Sequence, residues 1–169
     1  MSTLRCGFIG LGAMGAPMAG HLAAKGLLSV VGNRTHAKAQ TLAAELGVAA
    51  SADAAGFAGC GAVMLCVSAD ADVLANVRAL AEVLRPGAIV VDHSTVARDT
   101  AIEAQKILAA KGIGFIDAPV SGGVEGARNG RLSVMCGADP AMLDTVRPAL
   151  ACYGARISLM GPVGSGQAT

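Results

Sequence analysis

The sequence predicts an α/β fold in which helices cover both faces of a mostly parallel, doubly wound sheet. Strand-like apolar runs alternate with helix-like segments along most of the 169 residues, and this alternation is typical of such a fold. Hydrophobic residues make up 53% of the chain but aromatic residues only 2%. The core must therefore be built from Ala, Val, Leu, Ile and Met, as in sheets that are covered on both faces.

The first two thirds of the chain are predicted to alternate strictly. Apolar runs of strand length without polar alternation predict buried parallel strands, and a glycine or proline after a helical segment predicts its end. The predicted strands are residues 4–9, 28–33, 48–50, 62–67 and 88–92. The predicted helices are residues 14–24, 36–46 capped by Thr35, a brief one begun by Ser51 and Asp53, 70–84, and one capped by Ser94 or Thr95 that runs to 111.

The last third departs from this alternation and adds strands to the sheet. Residues 114–117 and 131–136 are predicted strands, joined by a glycine-rich loop over residues 118–130. Asp139 and Pro140 are typical of a helix N-cap and a first helical position, so a helix is predicted from there to about residue 151. Residues 156–160 are the final predicted strand.

The first strand leads directly into Gly10-x-Gly12-x-x-Gly15, the spacing of a dinucleotide-binding turn. Gly10 would make the sharp bend, Gly12 would leave room for a pyrophosphate, and Gly15 would let the helix pack close to the sheet. Among 23 glycines the spacing alone is weak evidence, but the strand before it and the helix and strand after it are the required setting. We interpret this unit as a Rossmann-type nucleotide-binding turn; the alternative is a tight turn that binds nothing.

Asn33-Arg34-Thr35 ends the second strand, where NAD-binding domains carry an acidic residue for the ribose hydroxyls. No acidic residue occupies this place. The guanidinium of Arg34 could grip a 2′-phosphate, and the Thr35 hydroxyl could add a hydrogen bond. The residues therefore predict NADP rather than NAD, unless Arg34 is only a solvated side chain beside a helix cap.

Other strand ends should meet at the same crevice, because ligands of doubly wound sheets lie at the carboxyl ends of the strands. Val67-Ser68 and the run from Asp92 to Thr95 are at such ends. His93 has no partner acid in the sequence, and we interpret it as a packed side chain. Ser121-Gly122-Gly123 offers a hydroxyl and two backbone N–H groups, which suit a carboxylate; a mobile surface loop would use similar residues.

Composition excludes several functions. The net charge is +1 and no basic cluster occurs, which argues against nucleic acid as a partner. The apolar run near the N-terminus is broken by glycines and is too short to span a membrane. The five cysteines include no Cys-x-x-Cys pair, so we expect reduced thiols in a cytoplasmic protein and no metal site.

Five blocks of the sequence, taken in order, resemble the β-hydroxyacid dehydrogenase family, which includes 3-hydroxyisobutyrate dehydrogenase, tartronate semialdehyde reductase and, more distantly, 6-phosphogluconate dehydrogenase. The blocks cover the whole chain, and this order is far more specific than any single block. They are Gly7-Phe-Ile-Gly-Leu-Gly-Ala-Met-Gly-Ala-Pro-Met-Ala19, Asp92-x-Ser94-Thr95, Asp117-Ala-Pro-Val-Ser-Gly-Gly123, Gly130-x-Leu-Ser-Val-Met135 and Gly161-Pro-Val-Gly-Ser-Gly-Gln-Ala168.

The resemblance implies NAD(P)-dependent oxidation of a small 3-hydroxy acid, or the reverse reduction of a semialdehyde. It also implies a homo-oligomeric enzyme and a role for each matching residue. The implied contacts are Gly10, Leu11, Gly12, Ala13, Met14 and Gly15 with the pyrophosphate, Asn33, Arg34 and Thr35 with the adenosine ribose, Val67, Ser68 and Thr95 on the nicotinamide side, and Ser121, Gly122 and Gly123 with the substrate carboxylate.

In this family the last block continues into a catalytic lysine and an all-helical second domain. The resemblance thus implies that residues 1–160 form the NAD(P)-binding domain, that residues 161–169 begin the connection to the helical domain, and that the lysine follows Thr169, so that no catalytic residue lies within the chain. Two alternatives stay open: an imine reductase, against which the block from Asp117 to Gly123 argues, and a non-catalytic NADP-binding interaction module.

Overall fold

The computed structural model describes residues 4–168, and a sheet of nine strands runs through them. The apolar runs form strands because a sheet that is covered on both faces needs no polar side chains on either. The predicted domain limits at residues 1 and 169 lie outside the described part of the chain. The strands are β1 (Cys6–Ile9), β2 (Leu28–Gly32), β3 (Ala49–Ala50), β4 (Ala62–Leu65), β5 (Ile89–Asp92), β6 (Gly114–Asp117), β7 (Val120–Ser121), β8 (Leu132–Gly137) and β9 (Gly154–Gly161).

The helices begin and end largely where capping residues predict. Gly47 closes the second helix in the left-handed conformation, at φ +70°. Asp139 caps the last one, since its Oδ1 accepts a hydrogen bond from the Ala141 N–H at 2.8 Å. Thr35 is at the N-cap of the second helix, but its side chain makes no capping hydrogen bond. The helices are α1 (Gly15–Ala24), α2 (His36–Leu46), α3 (Asp70–Ala81), α4 (Arg98–Ala109), α5 (Gly123–Asn129) and α6 (Pro140–Leu150), with a 3-10 turn at Ala54–Phe57.

The strand order confirms the predicted doubly wound fold. Strands β3-β2-β1-β4-β5-β6 lie side by side and all run parallel. Strand β8 is antiparallel to β6 and β7 and pairs in parallel with β9, so the strands added by the last third extend one side of the sheet. The order reverses between β1 and β4, and ligands of open α/β sheets bind at such a point.

Two apolar layers hold the sheet, because successive strand residues point to opposite faces. On one face Phe8 packs in a cluster with Met18 and Leu22 of α1. On the other face Ile9 lies in a cluster with Val73 and Val77 of α3. The carboxyl end of β1 is thus fixed from both sides, and the turn that follows it starts from a rigid base.

The predicted capping of α4 by Ser94 or Thr95 is wrong. The cap comes from another helix: the Asp70 carboxylate accepts hydrogen bonds from the Ala97 N–H at 3.0 Å and from the Thr100 hydroxyl at 2.6 Å. These bonds hold the pKa of Asp70 below its usual range. Residues 94–97 are therefore free to form a loop above the sheet edge instead of the first turn of a helix.

The predicted loop over residues 118–130 is also wrong in part, since it contains β7 and α5. Tertiary contacts override the high glycine content here. His21 of α1 lies with its Nε2 2.9 Å from the Ala127 carbonyl oxygen and 3.0 Å from that of Arg128, so it binds the end of α5. Gly126 lets the helix lie against Leu132, whose Cδ2 would be 3.2 Å from an added Cβ.

Candidate nucleotide-binding site

The three glycines of the turn after β1 have different structural roles. Gly10 has φ +102°, and a Cβ there would collide with the Cys66 carbonyl oxygen of the neighbouring strand end. A Cβ at Gly15 would collide with the Gly10 carbonyl oxygen, so this glycine lets α1 start directly above the turn. A Cβ at Gly12 would meet nothing within 4 Å. Gly10 and Gly15 are thus required by the fold, whereas the space above Gly12 is open and available to a ligand.

The turn presents unused hydrogen-bond donors beside this space. No backbone hydrogen bond within residues 4–168 uses the N–H groups of Gly12, Ala13 or Met14. The N–H of Leu11 is held by the Asn33 Oδ1 at 2.9 Å, which fixes the turn to the end of β2. Together with the positive end of the α1 dipole, these donors could bind a phosphate group.

A cavity of about 610 Å³ opens in front of the turn. Seven of the predicted cofactor residues line it: Gly10, Leu11, Gly12, Asn33, Arg34, Val67 and Ser68. Five polar residues that were not predicted as site residues line it too: Lys38, Ser51, Asp53, Asp72 and Asn76. A weak signal existed for three of them, since Lys38 lies four residues after Arg34 in the sequence and Asp72 and Asn76 lie one turn apart on α3.

The remaining predicted cofactor residues lie outside this cavity. Thr35 lines a separate shallow groove between α1 and α2. Ala13 and Met14 are on the turn itself, and Thr95 is exposed on the loop after β5. Asn33 has a structural role, because its amide nitrogen donates to the Thr35 carbonyl oxygen at 3.2 Å while its oxygen holds Leu11. Its contact with a ribose stays a prediction.

Arg34 forms an ion pair across the cavity. Its Nη2 lies 2.7 Å from the Asp72 Oδ1, and the two side chains are 82% and 27% exposed. An ion pair exposed to this degree contributes only about 0–1 kcal/mol. Asp72 therefore holds Arg34 weakly, and the guanidinium can leave it for a stronger anionic partner such as a phosphate.

The ends of β4 and β5 are joined by side-chain hydrogen bonds. The Ser94 hydroxyl accepts from the Val67 N–H at 2.8 Å, and the Asp92 Oδ1 accepts from the Ser94 N–H at 3.0 Å. Thr95, the residue after Ser94, is exposed. The predicted nicotinamide-side residues Val67 and Thr95 are thus connected through Ser94.

Two buried carboxyl groups lie side by side beneath this edge. Asp92 and Asp117 are paired in register on β5 and β6, and both are fully buried. The Asp92 Oδ2 has no hydrogen-bond partner in residues 4–168. Burial, with a contribution from the Asp117 charge, raises the pKa of Asp92 to about 7.

His93 is a packed side chain, as predicted. Its Nδ1 donates to the Ala118 carbonyl oxygen at 2.7 Å. Its Nε2 then accepts from the Tyr153 hydroxyl at 2.6 Å. Burial lowers the pKa of His93 to about 4, so the ring is neutral and both its nitrogens are engaged. It is not available as a general base.

The predicted carboxylate residues Ser121, Gly122 and Gly123 lie at the exposed junction of β7 and α5. They do not line the cavity at the turn. The structure thus gathers Gly10, Leu11, Gly12, Asn33 and Arg34, out of the predicted pyrophosphate and ribose residues, around one cavity and places the predicted substrate residues outside it.

Two further properties bear on ligands. In residues 4–168 no helix is long and apolar enough to cross a membrane. No group of three or more His, Cys, Asp or Glu side chains in the same range is placed to hold a metal ion. The five cysteines are free, and burial raises the pKa of the Cys6 thiol to about 12.

A mostly parallel doubly wound sheet with unbonded backbone N–H groups at its switch point is typical of a nucleotide-binding domain of the Rossmann type. Residues 5–161 match the family described as the NAD binding domain of 6-phosphogluconate dehydrogenase, and the chain belongs to that family. This confirms the resemblance deduced from the five sequence blocks.

Known proteins agree with this assignment. An uncharacterized oxidoreductase of Shewanella frigidimarina is 44% identical over 96% of this chain and 57% of its own length. The NAD-dependent L-serine dehydrogenase of Pseudomonas aeruginosa is 35% identical over 95% of this chain and 55% of its own. The solved 3-hydroxyisobutyrate dehydrogenase of Mycobacterium tuberculosis with L-serine superimposes with a TM-score of 0.93, at 31% identity over 99% of this chain and 57% of that one. The chain thus spans a little over half the length of these relatives.

Proposed function

We propose that the chain is the cofactor-binding part of an NADP-dependent oxidoreductase that acts on small 3-hydroxy acids or semialdehydes. The observation that carries the proposal is the set of unused N–H groups at Gly12, Ala13 and Met14 beside an open cavity that Arg34 also lines. A dinucleotide needs such a seat for its pyrophosphate and, in NADP, a cation for its 2′-phosphate.

Each part of the site has a place in this proposal. The turn from Gly10 to Gly15 holds the pyrophosphate, and Arg34 holds the 2′-phosphate. Val67, Ser68 and Thr95 lie on the nicotinamide side, and the cofactor supplies the hydride chemistry. Ser121 to Gly123 receive the substrate carboxylate, and a lysine expected after Thr169 moves the proton at the substrate oxygen.

NAD is the competing cofactor, and one feature of the site favours it. The carboxylates of Asp53 and Asp72 line the same cavity, and a carboxylate there could accept hydrogen bonds from ribose hydroxyls. The choice depends on Arg34, because a 2′-phosphate would draw it from Asp72, whereas NAD would leave the pair intact. Asp53 already accepts a hydrogen bond from the Ala55 N–H at 3.1 Å, which engages one of its oxygens.

Fluorescence titration of NADPH and NADH against the chain tests the proposal. A charge-assisted contact is worth about 1.5–3 kcal/mol, so we expect NADPH to bind roughly 10- to 150-fold more tightly than NADH. Arg34→Ala should abolish the preference, and Asp72→Asn, which frees Arg34, should keep or increase it. Arg85→Ala is the matched control, because Arg85 is exposed at the opposite edge of the sheet.

Equal affinities of the unsubstituted chain for the two cofactors would contradict the NADP assignment, as would an Arg34→Ala variant that keeps the preference. Tighter binding of NADH, lost in Asp72→Asn, would assign NAD instead. Failure to bind either cofactor would refute the nucleotide site itself. An imine reductase or a non-catalytic module would bind NADPH as well, and turnover of the complete protein with semialdehydes separates the three.

A further inference from the structure

The segment after β9 returns to the carboxyl edge of the sheet and is held there by Asp117. The Asp117 Oδ1 accepts from the Gly164 N–H at 2.7 Å, and its Oδ2 accepts from the Gln167 N–H at 2.9 Å. Asp117 is fully buried, so its two oxygens hold residues 164–167 at a fixed place beside β6. The backbone of Gln167 is therefore fixed, and so is the origin of its side chain.

The side chain of Gln167 binds the loop after β5 at two points. Its Nε2 donates to the Ser94 carbonyl oxygen at 2.7 Å, and its Oε1 accepts from the Val96 N–H at 3.2 Å. The two bonded residues flank Thr95. One amide therefore holds the backbone on both sides of the exposed residue that is assigned to the nicotinamide end of the site.

This contact extends to the neighbouring strand. Ser94, whose carbonyl oxygen Gln167 holds, receives the Val67 N–H on its hydroxyl. Gln167 thus holds, through Ser94 and Val96, the backbone next to both Val67 and Thr95. No cavity-lining residue of the adenine end, such as Arg34, takes part in these bonds.

Without the Gln167 amide, the Ser94 carbonyl and the Val96 N–H would lose the partners seen here and would need others. Backbone polar groups that are partly buried are costly to leave unpaired. The loop would rearrange to satisfy them, and Thr95 would move with it. The turn at Gly12 and the end of β2 would stay as they are, because Asn33 and the fold of α1 hold them.

We propose that Gln167 is a positioning residue for the nicotinamide end of the cofactor site, acting through the backbone of Ser94 and Val96. The proposal rests on the proposed function, since it requires that a dinucleotide binds across this edge. It gives the segment after β9 a role in cofactor binding, in addition to that of a connection.

Two ligands that share the adenine end test this proposal. NADPH reaches both ends of the site, whereas 2′,5′-ADP reaches only the adenine end. In Gln167→Met, which keeps the length of the side chain and removes both polar atoms, we expect the Kd of NADPH to rise about tenfold, as for the loss of one or two hydrogen bonds. The Kd of 2′,5′-ADP should stay within about twofold. If the chain prefers NADH, NADH and ADP replace these two ligands.

Gln105→Met is the matched control, because Gln105 is exposed on α4 and should change neither constant. Equal losses for NADPH and 2′,5′-ADP in Gln167→Met would show a general structural role and would overturn the proposal. Unchanged binding of both would overturn it as well. If the unsubstituted chain bound neither ligand, the proposed function itself would be wrong. If it bound both ligands and Gln167→Met bound them with the same Kd values, only this inference would be wrong.

Discussion

Replacement of Gly12 by valine should weaken cofactor binding roughly 150-fold and leave the fold intact. A Cβ at this position meets nothing within 4 Å, and Gly12 is not among the glycines with positive φ. The backbone can therefore carry a side chain without strain. The isopropyl group would occupy the space beside the free N–H groups of Ala13 and Met14, where the proposed pyrophosphate lies.

The magnitudes follow from this geometry. An exposed substitution without strain changes the free energy of unfolding by about 0.5 kcal/mol or less. Loss of one or two hydrogen bonds to a charged phosphate costs about 3 kcal/mol, which is roughly a 150-fold weaker Kd. Gly15→Ala should lower stability instead, because its Cβ collides with the Gly10 carbonyl oxygen and overpacking typically costs about 1–3 kcal/mol of stability.

Urea unfolding followed by circular dichroism, together with NADPH titration, measures both quantities. Gly20→Ala is the control: Gly20 lies within α1 with open space around it, and alanine there should stabilise the helix by about 0.5–1 kcal/mol without affecting binding. The reasoning would be refuted by a Gly12→Val chain that binds NADPH normally, since the turn would then be structural only. It would be refuted equally by a Gly12→Val chain that does not fold.

Two further predictions concern turnover and pH. The 169-residue chain alone should bind NADPH but should not oxidise it when semialdehydes are added. The reason is that a positioned acid/base group supplies about 10²–10⁴-fold in rate, and this group is expected beyond Thr169. Robust turnover would place that group within the chain. The pKa of Asp92 is raised to about 7 in the folded protein, so between about pH 4 and 7 the folded state binds a proton there that the unfolded state does not. Its contribution to the free energy of unfolding therefore falls as pH rises through this range. His93, with its pKa lowered from 6.5 to about 4, does the reverse between those values. As pH rises from about 4 to 7, the free energy of unfolding of Asp92→Asn, measured in urea, should therefore increase by roughly 2–4 kcal/mol relative to that of the unsubstituted chain. A difference that does not change with pH would show that Asp92 ionises normally.

The sequence predicted those parts of the fold that local patterns determine. Apolar runs located the strands of the parallel sheet, and the spacing of Gly10, Gly12 and Gly15 located the tight turn between β1 and α1. Each signal reflects a local requirement: a buried strand needs apolar side chains, and a tight turn needs glycine. Such requirements are visible without knowledge of any distant contact.

The features that the sequence did not reveal depend on contacts between distant elements. Asp70 caps α4 from the start of α3, and Gln167 holds a loop that is about seventy residues earlier. His21 stabilises α5 in a glycine-rich stretch that reads as a loop. Only the register of β5 and β6 brings Asp92 beside Asp117. No local pattern encodes such pairings, so they follow only from the folded chain.

In the proposed site, phosphate binding and cofactor choice depend on different elements. The proposed phosphate contacts are backbone N–H groups in the turn after β1, which any dinucleotide could use, whereas the proposed discrimination depends on Arg34 and Asp72, which lie after β2 and on α3. Loss of Arg34 should therefore lower the affinity for NADPH to that for NADH but no further, because the pyrophosphate contacts are unaffected. An Arg34→Ala chain that binds NADPH far more weakly than NADH would show that the 2′-phosphate is then repelled, which Asp53 and Asp72 at the cavity wall would explain.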